Sequence, residues 1–152
     1  MKMWREVCSL VADDYFMKRF FYGHSRFLPL HLAFAFQGPS LVSVASNATV
    51  FGHAERNCVR YLSTRNIPQK RKSLTLIVVR ITSNRTFGMS RPCRNCCKFL
   101  KRTIPHARVF YTDTKGTLIE DVWLDSDHLS LSSRPRTHSE RSLVDKLSVR
   151  DR

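Results

Sequence analysis

A nearly unbroken apolar segment in the middle of the chain limits the fold most. The segment Leu74–Ile81 has the sequence Leu-Thr-Leu-Ile-Val-Val-Arg-Ile and is rich in β-branched residues. Successive side chains of a strand point to opposite faces, so apolar residues at consecutive positions indicate a strand that is covered on both faces. This pattern predicts a strand buried on both sides, as the strands of α/β proteins are.

The remaining segments predict helices and strands around this strand. Apolar residues at steps of three and four predict helices over 4–21 and 52–64, and Pro92 at a first helical position predicts a third helix to about 103. Two apolar runs around Gly38-Pro39 predict a β-hairpin over 30–36 and 41–45. Strands over 108–111 and 117–124, joined by a tight turn at 113–116, complete the predicted elements, with loops over 63–73 and 82–91.

The length of 152 residues fits one domain with additions at its ends. We expect an N-terminal helix over 1–25 to pack on a main domain over 26–125. The segment 126–152 is basic and rich in serine and arginine, and we expect it to be partly disordered.

Positive charge is concentrated in one part of the chain. The formal net charge is +14, and residues 56–102 hold 13 Lys or Arg residues and no acidic residue. Such an excess fits a polyanionic partner or a phosphorylated substrate, although charged runs are often only solvated surfaces. Phe87 lies among arginines in the loop before Pro92, where we expect it to stack on a base, with Arg91 as a second substrate-binding residue.

The cysteines do not suggest a secreted protein. Their number is five, and Cys93, Cys96 and Cys97 lie within five residues, which favours reduced thiols and metal binding over disulfides. The apolar stretches are too short for a membrane helix, and acidic residues interrupt the N-terminus where a signal peptide would be apolar. We expect an intracellular protein, cytoplasmic or nuclear, with no membrane partner.

Two short motifs at predicted helix starts carry the chemistry. They are His53-Ala54-Glu55 and Pro92-Cys93-Arg94-Asn95-Cys96. Zinc binds imidazole nitrogen and thiolate sulfur, and a helix N-terminus favours the thiolate form of a cysteine. His53, Cys93 and Cys96 are therefore predicted zinc ligands, and three protein ligands leave one position open, as in catalytic sites.

Two neighbouring residues decide between an open and a closed zinc site. Glu55 would lie beside an open position and could carry protons there. Cys97 could act as a fourth thiolate, which would close the site, or face the core as a small apolar residue, which we favour. His24, His31 and His106 have no spacing that suggests a ligand, and only their position in the polar tail would place His128 and His138 near a substrate.

On these motifs, over roughly residues 30 to 124, the chain resembles the cytidine deaminase-like superfamily of zinc base deaminases. The resemblance implies a three-layer α/β/α fold with a five-stranded mixed sheet. It implies zinc ligation by His53, Cys93 and Cys96, proton transfer by Glu55, and hydrolytic attack on the amidine carbon of cytosine or adenine with release of ammonia. It also implies that Asn47 contacts the sugar of the substrate.

Two features point to different branches of this superfamily. An asparagine two residues after the glutamate, here Asn57, resembles the deoxycytidylate-type enzymes more than the tRNA adenosine type. A tight hairpin between the last two predicted strands resembles the free-nucleoside deaminases and some toxin-like deaminases. The tRNA, nucleic-acid-editing and deoxycytidylate branches place a helix there. We therefore expect a zinc-dependent deaminase of a cytosine-containing nucleoside or nucleotide.

Two alternatives remain open. The basic tract favours a deaminase that edits RNA or single-stranded DNA. A chain with this fold could also bind nucleic acid and zinc without catalysis, the zinc then being purely structural. The superfamily includes dimers and tetramers, so a homo-oligomer is a further expectation that follows from the resemblance.

Overall fold

The computed structural model describes residues 1–21, 30–47, 52–65 and 73–121. In chain order they form helices α1 (Lys2–Ala12) and α2 (Asp14–Phe21), strands β1 (Leu30–Gln37) and β2 (Ser40–Ser46), helix α3 (Ala54–Thr64), strands β3 (Leu74–Ile81) and β4 (Phe87–Gly88), helix α4 (Arg94–Thr103), and strands β5 (Arg108–Thr112) and β6 (Leu118–Asp121). Within these ranges, no helix is long and apolar enough to cross a membrane.

The strands form one mixed sheet in the order β2-β1-β3-β5-β6. Strands β3 and β5 are parallel, whereas β2 with β1, β1 with β3, and β5 with β6 are antiparallel. The mixed sheet and both hairpins confirm the sequence prediction. A sixth strand, β4, pairs with the end of β3 inside a predicted loop, because two residues are too few to show a strand pattern.

The central strand β3 is covered on both faces, as its apolar sequence predicts. Leu74, Leu76 and Val78 pack against residues of α3 and α4 on one side, which we call the α3/α4 face. Ile77, Val79 and Ile81 pack against α1 and α2 on the other, which we call the α1/α2 face. The same alternation continues in β1, so the molecule has three layers, with the sheet in the middle.

The N-terminal segment forms two helices where the sequence predicts one. The backbone of Asp13 leaves the helical conformation (φ −86°, ψ 111°), and α2 begins at the next residue. The Asp13 carboxylate Oδ1 accepts a hydrogen bond from the Tyr15 N–H at 2.9 Å. A carboxylate in this place caps a new helix, and apolar periodicity alone does not show the break.

The helices that carry the two motifs begin slightly later than predicted. Helix α3 starts at Ala54 and α4 at Arg94, so Pro92 lies two residues before α4 and does not open it. The residues immediately before the two helices, His53 and Cys93, keep extended backbones.

Several predictions concern residues outside the described ranges. They are most of the basic loop 63–73, the predicted strand end at 122–124, and the basic tail 126–152.

Candidate metal centre

Helix α3 is fixed to the sheet at its first turn. The Asn57 side-chain amide donates hydrogen bonds to the carbonyl oxygens of Ser46, at 2.9 Å, and Gly52, at 3.2 Å. Ser46, the last residue of β2, is paired with Leu32 of β1. Leu32 is paired on its other side with Val79, near the carboxyl end of β3. Helix α3 therefore starts at the end of the sheet where β3 finishes.

The segment that leads into α4 is held at the same end by a buried hydroxyl network. Ser90 Oγ donates to the Val78 carbonyl oxygen at 2.7 Å and accepts a hydrogen bond from the Thr112 N–H at 2.7 Å. Thr112 Oγ1 in turn donates to the Gly88 carbonyl oxygen at 2.6 Å. Ser90 thus links the carboxyl ends of the parallel strands β3 and β5, three residues before Cys93.

These anchors bring together the three predicted zinc ligands. His53 Nδ1 lies 3.5 Å from Cys93 Sγ and 3.2 Å from Cys96 Sγ, and the three ligand atoms all lie within 4.8 Å of one another. An ion with zinc–nitrogen bonds of about 2.0 Å, zinc–sulfur bonds of about 2.3 Å and tetrahedral angles separates N and S by about 3.5 Å. The donor set and its spacing therefore fit a zinc ion.

The two thiols have opposite electrostatic character. The pKa of Cys93 is lowered because its sulfur receives a hydrogen bond from the Cys96 thiol, and the neighbouring His53 ring favours the thiolate in the same direction. The pKa of Cys96 is raised well above its usual value because it is the donor in that pair and is buried. Without metal the pair holds one proton, which a bound cation would displace.

Glu55 lies in the first turn of α3 and is almost fully buried, with 5% of its surface exposed. Burial raises the pKa of its carboxyl group, and the negative charge on Cys93 raises it further. The carboxylate is not part of the ligand group formed by His53, Cys93 and Cys96. A buried carboxyl beside the ligands, but not among them, is suited to accept and release a proton.

Cys97 turns away from the cluster. Its thiol donates to the Pro92 carbonyl oxygen at a sulfur–oxygen distance of 3.7 Å, and burial raises its pKa. Among the described residues, the ligand group includes neither Cys97 nor any other fourth side chain. This geometry agrees with the core position predicted from the sequence.

Asn47 lies at the end of the β1–β2 hairpin, on the same side of the sheet as the cluster. Its side-chain oxygen Oδ1 accepts a hydrogen bond from the His31 N–H at 2.9 Å, and its own N–H donates to the His31 carbonyl oxygen. This pairing extends the hairpin. Its contact with the substrate sugar stays a prediction.

Phe87 lies on the other face of the sheet from the candidate metal centre. Its ring packs against Trp4 of α1, with ring centroids 5.1 Å apart, and belongs to the apolar cluster on the α1/α2 face. The ligands are carried by α3 and α4 on the opposite face. The partly buried ring gains apolar contact there. Its stacking on a base stays a prediction.

Arg91 lies directly before Pro92 but points to the sheet. Its Nη2 atom lies 3.5 Å from Asp121 Oδ1, where the Asp121 side chain is 1% exposed, and its guanidinium covers the Tyr111 ring. These contacts fix the backbone just before the cysteine motif. The contact of Arg91 with substrate stays a prediction.

Sequence reasoning missed the anchors around the cluster. Ser90 and Thr112 are ordinary residues in the sequence, and only the pairing of β3 with β5 brings them together. The sequence draws attention to Asn57 because it lies two residues after Glu55. Its hydrogen bonds to Ser46 and Gly52 could not be predicted, because they depend on the geometry of the β1–β2 hairpin.

Comparison with known proteins finds similarity at the level of structure. A scan against protein-family models and a search of curated protein sequences find no match. Among solved structures, the chain is similar to the crystal structure of cytidine deaminase from Burkholderia pseudomallei, with a TM-score of 0.50 and 15% sequence identity, over 66% of this chain and 80% of that chain. The chain has a cytidine deaminase-like fold, and its histidine and two cysteines form a cluster that fits the zinc deaminase motif.

Proposed function

We propose that this protein is a zinc-dependent hydrolytic deaminase of a cytosine-containing nucleoside or nucleotide. The observation that carries the proposal is the combination of a three-ligand cluster with a buried carboxyl group that is not a ligand. A purely structural zinc site has four protein ligands and needs no neighbouring acid. A catalytic site needs both the open position and a group that moves protons.

The reaction adds water to the ring carbon that carries the amino group and releases ammonia. A zinc ion held by His53, Cys93 and Cys96 would supply a Lewis acid that makes a water molecule a better nucleophile at neutral pH. Glu55 takes the proton from that water and delivers it to the ring nitrogen. It then takes the remaining proton from the hydroxyl group added to the ring carbon and delivers it to the amino group, whose bond to that carbon breaks, so that cytosine and water become uracil and ammonia.

The last hairpin supports the choice of a small substrate. Strands β5 and β6 are joined by a tight turn in which Asp113 Oδ1 accepts hydrogen bonds from the N–H groups of Lys115 and Thr117, both at 2.8 Å. The antiparallel pairing resembles the arrangement in free-nucleoside deaminases and some toxin-like deaminases, and the short connection has no room for an intervening helix.

The direct test is mass spectrometry of reaction mixtures with the zinc-loaded protein. The substrates are cytidine, deoxycytidine, their monophosphates, and short RNA and DNA. We expect the mass change of cytosine to uracil with at least one cytosine nucleoside or nucleotide, together with ammonia. The Glu55→Gln variant should bind zinc equally and lose turnover, because an amide cannot transfer the proton.

Two results would contradict the proposal. Turnover that persists in Glu55→Gln would remove Glu55 from the proton path. Zinc bound in full with no ammonia from any substrate would favour a non-catalytic binding protein with the same fold.

A second candidate function is the deamination of RNA or single-stranded DNA. It is favoured by the charge of α3 and α4. Glu55 is the only acidic residue in these two helices, and because it is buried, their outer surface carries no acidic side chain. The basic residues in and directly after these helices are Arg56, Arg60, Arg65, Arg94, Lys98, Lys101 and Arg102. If this candidate is correct, oligonucleotides will show the cytosine-to-uracil mass change, and monomeric nucleosides and nucleotides will not.

A further inference from the structure

Arg80 lies on the α3/α4 face, near the carboxyl end of β3. It follows Leu76 and Val78 in the strand alternation, and both pack on the α3/α4 face. Gly88 of β4 is paired with Arg80, and a Cβ built on Gly88 would lie 3.5 Å from Arg80 Cδ. The Arg80 side chain therefore points to the same face as position 88, opposite to the neighbouring Phe87 on the α1/α2 face. The Arg80 side chain therefore shares a face with the helices that carry the predicted zinc ligands.

Three polar residues form a row across the sheet at this level. Arg80 of β3 is paired with His31 of β1. Asn47, directly after β2, is bonded to His31 through both backbone and side chain. We call Asn47, His31 and Arg80 the polar row.

The starts of both ligand helices are bonded to residues next to the polar row. The first turn of α3 is bonded to the Ser46 carbonyl oxygen, one residue before Asn47. The segment before α4 is bonded to the Val78 carbonyl oxygen, two residues before Arg80. The polar row therefore lies at the end of the sheet where the candidate metal centre is built.

The charge of Arg80 has no counter-charge in the part of the chain that the structure describes. Its side chain is half-buried, and its Nε atom is buried with no hydrogen-bond partner there. Withdrawing a guanidinium from water without an anion is unfavourable. An anion supplied by a ligand would remove this cost.

We propose that Arg80 binds a phosphate group of the substrate, which makes the substrate of this site a cytosine nucleotide and not a free nucleoside. The inference rests on the proposed function, because it assumes that the cytosine ring is held at the candidate metal centre. A guanidinium offers several N–H donors in a planar fork that matches phosphate oxygens. The phosphate belongs either to a monophosphate or to the backbone of a single strand.

The test compares binding and turnover of phosphorylated and unphosphorylated ligands. Zinc-loaded wild-type protein and the Arg80→Gln and Arg80→Lys variants are titrated calorimetrically with cytidine, cytidine monophosphate, inorganic phosphate and a short cytosine-containing RNA without terminal phosphates. The kcat/KM values are measured with the same substrates. Zinc content and circular dichroism show that each variant is folded.

The control variant is Arg108→Gln. Arg108 is also a strand arginine, but it begins β5 at the other end of the sheet, where it is paired with Thr75, and it is bonded to Glu120. Its substitution removes the same charge from a place that the inference does not involve. We expect Arg108→Gln to bind all four ligands as the wild type does.

We expect Arg80→Gln to weaken binding of cytidine monophosphate or of the RNA by about 10- to 100-fold and to leave cytidine unchanged. Arg80→Lys should recover part of this loss, because it keeps the charge and loses the fork. A loss confined to the monophosphate identifies a nucleotide substrate, and a loss confined to the RNA identifies a backbone phosphate. Inorganic phosphate should bind the wild type and compete with the affected ligand.

Equal effects of Arg80→Gln on cytidine and on both phosphorylated ligands, or no effect on any of them, would overturn the inference. If the Arg80→Gln variant does not fold, the Arg80→Lys variant decides alone. An unchanged ratio of affinities for phosphorylated and unphosphorylated ligands in Arg80→Lys would then contradict phosphate binding by the planar guanidinium. The two proposals fail separately. Deamination without any dependence on Arg80 would contradict the inference and leave the proposed function standing. Arg80-dependent phosphate binding without deamination would contradict the proposed function and leave Arg80 as a phosphate-binding residue.

Discussion

At the scale of single residues, the candidate metal centre depends on two helix caps. His53 and Cys93 are the residues that immediately precede α3 and α4, and both have extended backbones. The spacing of the motifs was enough to predict that His53, Cys93 and Cys96 form a cluster able to hold a metal ion, because the type and spacing of such side chains are local properties of the sequence. It could not decide the position of Cys97, since that depends on which way the first turn of α4 faces.

Replacement of Cys93 by alanine should abolish zinc binding and lower the melting temperature of the zinc-loaded protein. The ion joins two helices, so its binding free energy contributes to folding. Zinc content by mass spectrometry and calorimetric melting measure both effects. Cys97→Ala is the matched control, and we expect it to keep zinc because its thiol faces Pro92. Zinc retained in Cys93→Ala, or lost in Cys97→Ala, would contradict the assignment.

Zinc binding should release about one proton from the cysteine pair near neutral pH. The lowered pKa of Cys93 means that it is already a thiolate there, whereas the raised pKa of Cys96 means that it is still protonated and must lose its proton to the metal. Zinc affinity should therefore rise about tenfold per pH unit. Calorimetry in buffers of different ionisation enthalpy measures the number of protons released. If the two cysteines together release about two protons, or none, the result would contradict this account.

At the scale of elements, the site depends on side chains that fix where each helix starts. The sequence predicted β3 and the hairpins closely, because their apolar patterns are local and strong. It did not predict the break at Asp13 or the short strand β4, because a single cap and a two-residue pairing leave no periodic signal. The anchors at Asn57 and Ser90 require knowledge of which strand ends are neighbours.

Replacement of Ser90 by alanine should destabilise the protein by about 1–3 kcal/mol and weaken zinc binding. The substitution leaves the Val78 carbonyl and the Thr112 N–H without their buried partner. Chemical denaturation and zinc competition measure the two effects. Ser63→Ala on the exposed surface of α3 is the control and should change stability by less than about 0.5 kcal/mol. Zinc affinity unchanged in Ser90→Ala would show that the network does not position the cysteine motif.

Replacement of Asp13 by alanine should cost about 1 kcal/mol of stability, because the N-terminus of α2 loses its cap. Asp13→Asn should retain most of the stability, since asparagine caps helices about as well. Both variants should bind zinc as the wild type does, because α2 lies on the other face of the sheet. Equal stability of all three proteins in urea would argue against the cap.

At the scale of the whole molecule, the three layers separate two kinds of surface. The layer of α3 and α4 carries the candidate metal centre and a strongly basic outer surface, whereas α1 and α2 also carry acidic residues, Glu6 and Asp14. The excess of positive charge was visible in the sequence. Its position next to the ligands followed only from the packing of α3 beside α4.

The basic surface predicts a salt dependence that can be localised. Alanine at Arg60, Lys98 and Arg102 should reduce the slope of log affinity against log salt for a single-stranded oligonucleotide by about 2, if each contacts one phosphate. Alanine at Lys2, Arg5 and Lys18 changes the net charge equally on the exposed surface of α1 and α2 and should leave the slope nearly unchanged. Fluorescence anisotropy at several salt concentrations measures both. Equal slopes for the two triple variants would place the interface elsewhere.

X-ray absorption at the zinc edge of the zinc-loaded protein tests the central claim most directly. The predicted spectrum requires two sulfur ligands at about 2.3 Å, with nitrogen or oxygen ligands at about 2.0 Å completing the coordination. That result corresponds to His53, Cys93 and Cys96 with one position left for water. A spectrum that requires three or four sulfur ligands would show a closed structural site and contradict the account.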